Sequence, residues 1–263
     1  MLALIAGRGG LPAAVAQAQA VKPLVCALEG FAPDGVTPDV TFRLEGLGPL
    51  LTQLQARGVR DVCLCGGIDR PQIDPALIAP ETLPLIPLLQ TAIAAGDDGA
   101  LRAVMSIFET FGFCVRAAHD LAPGLVVQAG VLTAQAPDQT MLDAAVRGDA
   151  VLKALAPLDV GQACVAGAGQ VWGIETVGGT AHMLGALPPA VRQAGAVLVK
   201  RSKAGQDLRA DMPTIGPDTI TQLAQAGLAG MVLEAGRVLV LERDTVKREA
   251  EAAGLAIWAW DAP

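Results

Sequence analysis

Strand-length apolar runs alternate with helix-length segments as far as Arg116, and this alternation restricts the fold more than any single motif. Leu2–Ala6 is an apolar run that ends in Gly7-Arg8-Gly9-Gly10. A helix over Pro12–Ala20 follows, with proline near its start, where helices tolerate it. Pro23–Leu28 reads as a second strand. The helix expected over Leu47–Arg57 places Leu47, Leu50, Leu51 and Leu54 on one face, with Gly58 as its stop. Asp61–Cys65 is a third strand, ending in Gly66-Gly67. Helices are expected over Leu83–Ala95, where Pro87 marks a kink or boundary, and over Gly99–Phe111, capped by Asp98. Phe113–Arg116 closes the unit as a strand. Such alternation builds a parallel sheet with right-handed crossovers. Ligands of these sheets bind outside the carboxyl ends of strands, which singles out Gly9, Gly10 and Gly67.

The pattern then changes. Residues 126–137 are rich in Gly, Ala and Pro and read as a linker. Beyond it, a helix is expected over Asp138–Leu155, followed by a hairpin of Gly161–Ala166 and Gln170–Thr176 around Gly167-Ala168-Gly169. Ala194–Val199 is a strand and Asp218–Ala226 a helix. Gly230–Leu233 and Arg237–Leu241 read as a second hairpin. A helix over Asp244–Ala253 and a short strand over Leu255–Ala259 complete the chain. The expected fold class is α/β. Residues 1–125 form a Rossmann-like domain, residues 138–263 a mixed α/β catalytic domain, and a ligand cleft lies between them.

Composition narrows the function. Apolar residues make up 52 % and charged residues 17 % of 263, a globular balance with enough chain for two cores. The net charge of -7 argues against a non-specific nucleic-acid binder, and the absence of Tyr removes one stacking platform for bases. No apolar run is long enough to span a bilayer, and the amino terminus lacks a signal-peptide pattern, so a cytoplasmic protein is expected. Five cysteines without scaffold spacing agree with a reducing compartment. Cys63 and Cys65 share one face of their strand and suit a buried core. His119 and His182, the only histidines, suggest no zinc site.

The chemistry then rests on carboxylate, lysine, arginine and glycine. In the run Lys200–Gly216, KRSKAGQDLRADMPTIG, four of the chain's 19 Lys and Arg fall within ten residues, directly after an apolar strand. Lys200, Arg201, Lys203, Gln206, Asp207, Arg209 and Asp211 follow in quick succession and together suit phosphate and a hard metal ion. A solvated charged loop fits the same composition. Gly66-Gly67-Ile68-Asp69-Arg70-Pro71 places Arg70 where it suits a phosphate clamp, or merely turns the strand. Asp98 caps a helix or meets a ligand, and Asp159 and Gln162 are turn residues or site residues. The first glycine turn fails the dinucleotide fingerprint, because Pro12 stands where a third glycine is required. Glu29 is a candidate ribose acid, so a nicotinamide-dependent enzyme is the weakest of the readings.

Taken in order, GRGGLP, GGIDRP, AGDDGALRAV, FGFCVRAAHDL, LDVGQACV and KRSKAGQDLRADMPTIG make the chain resemble the LpxI-type UDP-2,3-diacylglucosamine pyrophosphatases over nearly its full length. The resemblance implies a Mg2+-dependent hydrolase of lipid A biosynthesis that yields UMP and 2,3-diacylglucosamine 1-phosphate. It implies Asp211 as the essential catalytic aspartate. The residue chemistry agrees: this carboxylate suits binding a metal ion or aligning water, and Lys200, Lys203 and Arg209 suit offsetting the pyrophosphate charge, with Lys200 and Arg209 as the expected catalytic cations. Gly9, Gly10, Gly67, Arg70, Asp98, Gln162, Thr180, Lys203, Gln206 and Thr214 are the expected substrate-binding residues. The expected partner is a lipid-linked sugar nucleotide, with peripheral membrane association through that substrate and a homodimer as further expectations. One departure stands out. The family pattern I-E-x-x-E-G-T-D-A-M reads here Ile174-Glu175-Thr176-Val177-Gly178-Gly179-Thr180-Ala181-His182-Met183, so Gly178 and Ala181 replace an acid pair. The alternative is therefore a weakened or inactive binder of the same ligand class.

Overall fold

The computed structural model describes residues 1–68, 73–94, 97–203 and 205–261, without the side chains of 91–94, 97 and 98. It divides into two units, one of residues 1–123 with 207–211, the other of 124–206 with 212–263.

The first unit contains β1 (Leu2–Ala6), α1 (Leu11–Gln17), β2 (Leu24–Leu28), β3 (Val40–Phe42), α2 (Leu47–Ala56), β4 (Asp61–Cys65), α3 (Ile86–Ala94), α4 (Asp97–Thr110), β5 (Cys114–Val115) and α5 (Ala118–Leu121). Its five strands pair in parallel in the order β3-β2-β1-β4-β5. The central strands are near-continuous apolar runs, as strands buried on both faces must be. Ala3, Ile5, Cys26, Leu28, Val62 and Leu64 pack one face of the sheet against Leu50, Leu51 and Leu54 of α2 and Met105 and Phe108 of α4. The helix expected from Leu83 begins only at Ile86, after a 3₁₀ stretch over Pro80–Leu85. The prolines explain the boundary, since each removes a backbone donor. α4 starts at Asp97, two residues earlier than expected.

The second unit contains β6 (Gly130–Val131), α6 (Gln139–Leu155), β7 (Ala163–Gly167), β8 (Gln170–Ile174), α7 (Gly179–Gly185), β9 (Val197–Lys200), β10 (Thr214–Ile215), α8 (Pro217–Ala226), β11 (Gly230–Glu234), β12 (Leu239–Val240), α9 (Arg243–Ala252) and β13 (Ala256–Trp260). Six strands form a mixed sheet, β6-β13-β11-β9-β7-β8. Both faces are covered. Alternate residues Val165, Leu198, Met231 and Ile257 meet Met183 of α7, Ile220 and Leu223 of α8 and Val246 of α9. Cys164, Val199, Val232 and Trp258 meet Met141, Ala145 and Leu152 of α6 on the other side. Gly148 lets α6 lie close, because a Cβ there would strike the Val199 side chain.

The β7–β8 hairpin turns at Ala168 and Gly169, both at positive φ, a turn matched to strand twist. The second expected hairpin is absent. β11 pairs in parallel with β9 and β13, whereas β12 pairs in parallel with β10 in a separate two-stranded sheet. Parallel partners gave each short apolar run a better-covered site than an antiparallel neighbour would. The segment 126–137, read as a linker, is integrated into the second unit. Val127 is buried and its N–H donates to Val238 O, Leu132 N–H donates to Ile257 O, and Thr133 Oγ1 accepts from Ile257 N–H.

Candidate functional site

In the first unit, strand order reverses between β1 and β4, the switch point where open α/β sheets bind ligands. The turns leaving these strands are knitted together. Gly7 N–H donates to Cys65 O, and Arg8 and Gly67 exchange two backbone hydrogen bonds of 2.9 Å. A Cβ on Gly7 would sit 2.5 Å from Gly67 O, and one on Gly66, whose φ is +92°, 2.5 Å from Gly7 O. The Gly67 N–H donates to Arg8 O, while a Cβ at Gly67 would meet open space. Gly9, at φ +91°, has open space where a side chain would stand, and Gly10 precedes α1. The Arg8 guanidinium lies 4.6 Å from the Phe31 ring centroid and donates to Gly30 O. Arg70 and the Asp98 side chain lie outside the described residues.

Residues 207–211 also group with this unit. Arg209 donates to both carboxylate oxygens of Asp207, at 2.8–3.2 Å, and to Glu109 of α4 at 2.7 Å. The guanidinium holds the Asp207 carboxyl below its usual range. Arg209, expected as a catalytic cation, is engaged by two acids. The Asp211 N–H donates to Asp207 O at 3.4 Å.

The second unit gathers most of the remaining expected residues. Lys200 is the last residue of β9 and is buried; its Nζ donates to Thr180 Oγ1 at 3.1 Å. Thr180 Oγ1 donates in turn to Glu175 Oε1 at 2.6 Å, and Gln162 N–H donates to Glu175 Oε2 at 2.8 Å. Gln162 Oε1 accepts from Gln206 Nε2 at 3.4 Å, while Gln206 Oε1 accepts from the Lys203 N–H at 2.9 Å. Lys203 Nζ is held by Asp159, a non-glycine residue at φ +55°. Thus Lys200, Thr180, Gln162, Gln206 and Lys203 are brought together. Thr214 is not part of this chain of contacts; its hydroxyl donates to Met212 O.

Sequence reasoning missed a buried charge cluster under the same segment. Arg201 binds Asp149 of α6 and Glu234 of β11, and Glu234 also accepts from the Ser202 N–H and hydroxyl at 2.9 and 2.8 Å. Lys153 pairs with Asp149 at 2.8 Å. The cluster fixes the chain directly after Lys200. Gly178 accommodates the His182 ring, since a Cβ there would come within 2.8 Å of it.

Among the described residues no three His, Cys, Asp or Glu side chains converge as a metal-holding group. Asp207 is committed to Arg209. No helix among the described residues is long and apolar enough to cross a membrane.

Comparison with known families matches residues 1–125 to the LpxI N-terminal domain and residues 128–258 to the LpxI C-terminal domain. The UDP-2,3-diacylglucosamine pyrophosphatase LpxI of Caulobacter vibrioides is 34% identical over 272 residues, covering 99% of this chain and 97% of that relative.

Proposed function

The chain belongs to the LpxI family, and from that premise we propose that it hydrolyses the pyrophosphate of UDP-2,3-diacylglucosamine. Water adds its oxygen to one phosphorus, the bridging P–O bond breaks, and the products are UMP and 2,3-diacylglucosamine 1-phosphate. The observation that carries this reading is the buried ammonium of Lys200 at the carboxyl end of β9, in a chain that matches its relative end to end. A lysine held there by a hydroxyl and followed by a pinned backbone is arranged to meet an anion.

Asp211 is the proposed catalytic aspartate; its carboxylate would hold Mg2+ or align the attacking water. When bound, that ion neutralises charge on the pyrophosphate. Lys200 offsets the negative charge of the bridging group, and Lys203, Gln162, Gln206 and Thr180 orient the substrate around it. Gly9 and Gly10 leave backbone room at the switch point for a phosphate or sugar. Arg209 acts on substrate only by exchanging a carboxylate partner for a phosphate. The lipid-linked substrate brings the protein to a membrane surface, and a homodimer is the proposed assembly.

The test is release of UMP from UDP-2,3-diacylglucosamine, followed by chromatography with and without Mg2+. Turnover is expected with the ion, and Asp211→Asn should lower it by roughly 100-fold or more. Undiminished turnover by that variant removes Asp211 from the chemistry. Tight ligand retention with no UMP at any Mg2+ concentration favours a binder, consistent with Gly178 and Ala181 in place of the family's acids.

A further inference from the structure

The Glu175 carboxylate is buried at 7 % exposure and has both oxygens occupied within the second unit. One takes the Thr180 proton at 2.6 Å, the other the Gln162 backbone N–H at 2.8 Å. Its own N–H donates to Ala163 O at 2.9 Å, which ties its backbone to the start of β7. Gly161, at φ +53°, leaves no room for a Cβ against the Glu175 backbone. Glu175 is therefore held in place from both backbone and side chain.

A threonine hydroxyl has one proton and two lone pairs, and its rotor turns to suit its partners. Commitment of that proton to a carboxylate removes the choice. The oxygen must then accept, and Lys200 Nζ, which can only donate, stands 3.1 Å away. Charge assistance shortens and strengthens the hydroxyl–carboxylate bond, so the hydroxyl is fixed more firmly than by a neutral acceptor.

We propose that Glu175 is a positioning residue. By orienting the Thr180 hydroxyl it fixes the Lys200 ammonium, and through the Gln162 N–H it fixes the backbone beside that ammonium. Its effect on turnover rests on the role given to Lys200 under the proposed function; its effect on Lys200 itself does not.

Two readouts separate these claims. The first is the side-chain ammonium resonance of Lys200 in the full chain labelled with 15N-lysine, assigned by its loss in Lys200→Met. A fixed, buried ammonium exchanges slowly enough to be seen. The signal is expected in the unsubstituted chain and in Thr180→Ser, and is expected to broaden or vanish in Thr180→Val and Glu175→Gln. The second is turnover. Glu175→Gln is expected to lower kcat by up to roughly 100-fold with a smaller change in KM. Combined with Lys200→Met, it should add almost nothing, because both changes remove the same interaction.

A Lys200 signal unchanged in Thr180→Val overturns the proposal, and so does its absence from the unsubstituted chain. Additive losses in the double variant overturn it as well, since they assign Glu175 a merely structural part. If Glu175→Gln does not fold, the Thr180→Val and Thr180→Ser pair decides. A signal that behaves as expected while Lys200→Met turns over normally leaves the positioning intact and removes Lys200 from catalysis.

Discussion

Arg201 shows how little a charged residue's type says about its task. It stands between Lys200 and Ser202 in a run read for its cations, yet its guanidinium is part-buried between Asp149 and Glu234. Truncation would leave Asp149 to Lys153 and Glu234 to Ser202, and would remove the one cation that joins the two largely enclosed acids. Arg201→Ala is therefore expected to destabilise the chain by about 3–5 kcal/mol, read as a lowered urea midpoint. Replacement of all three charged residues by apolar ones of similar volume should cost far less. A midpoint unmoved by Arg201→Ala would mean that water reaches both acids. Lys200, Thr180 and Gln162 were legible in the sequence through the family pattern. Arg201 was visible as one of the run's cations, but its pairing with Asp149 and Glu234 was not, because it joins residues far apart in the chain and follows no local period. Glu175 was visible as a retained letter, but not as the hub of two hydrogen bonds.

Elements with a strong period were legible from the chain alone. β1, β4, α2 and α6 lie within a residue or two of expectation, because leucine spacing, apolar runs and the Asp138 cap each specify them locally. What stayed hidden was pairing. β3 and β6 are three and two residues long and carry too few side chains to show an alternation. β11 and β12 looked like hairpin arms because they are close in sequence, although their partners are β9, β13 and β10. α7 went unread because its seven residues include two glycines. The meeting of the β1 and β4 turns depends on missing side chains, and it yields a prediction for those elements. Gly66→Ala forces a Cβ into Gly7 O at a φ that L-residues avoid. A loss of about 2 kcal/mol or more is expected in chemical denaturation. Gly9→Ala meets open space and only the backbone penalty, so its loss should be smaller. Equal losses would show that the two turns do not constrain one another.

For the molecule as a whole, the cysteines report folding one unit at a time. Cys26, Cys63 and Cys65 are buried in the first sheet and Cys164 in the second, while Cys114 is exposed. Burial pushes the Cys26 thiol to about 11 and the Cys164 thiol to about 12, so both stay protonated and unreactive. The Cys63 side chain, together with burial, also pushes the Cys65 thiol well above its ordinary value. A thiol reagent at neutral pH should thus label Cys114 alone in the native chain and all five after unfolding. Separate labelling midpoints in urea for Cys65 and Cys164 would mark independent melting of the units, and one common midpoint a single transition. Rapid native labelling of Cys164 would contradict the tight packing of α6 on its sheet. The place of β1 in the strand order also bears on how the chain is made. It precedes the other strands of its sheet in the sequence yet lies at the centre, between β2 and a β4 that begins about sixty residues later. Until β4 arrives, one side of an almost wholly apolar strand has no neighbour. The earliest strand of the sheet is thus among the last to be enclosed, and the nascent chain is most prone to wrong pairing in that interval.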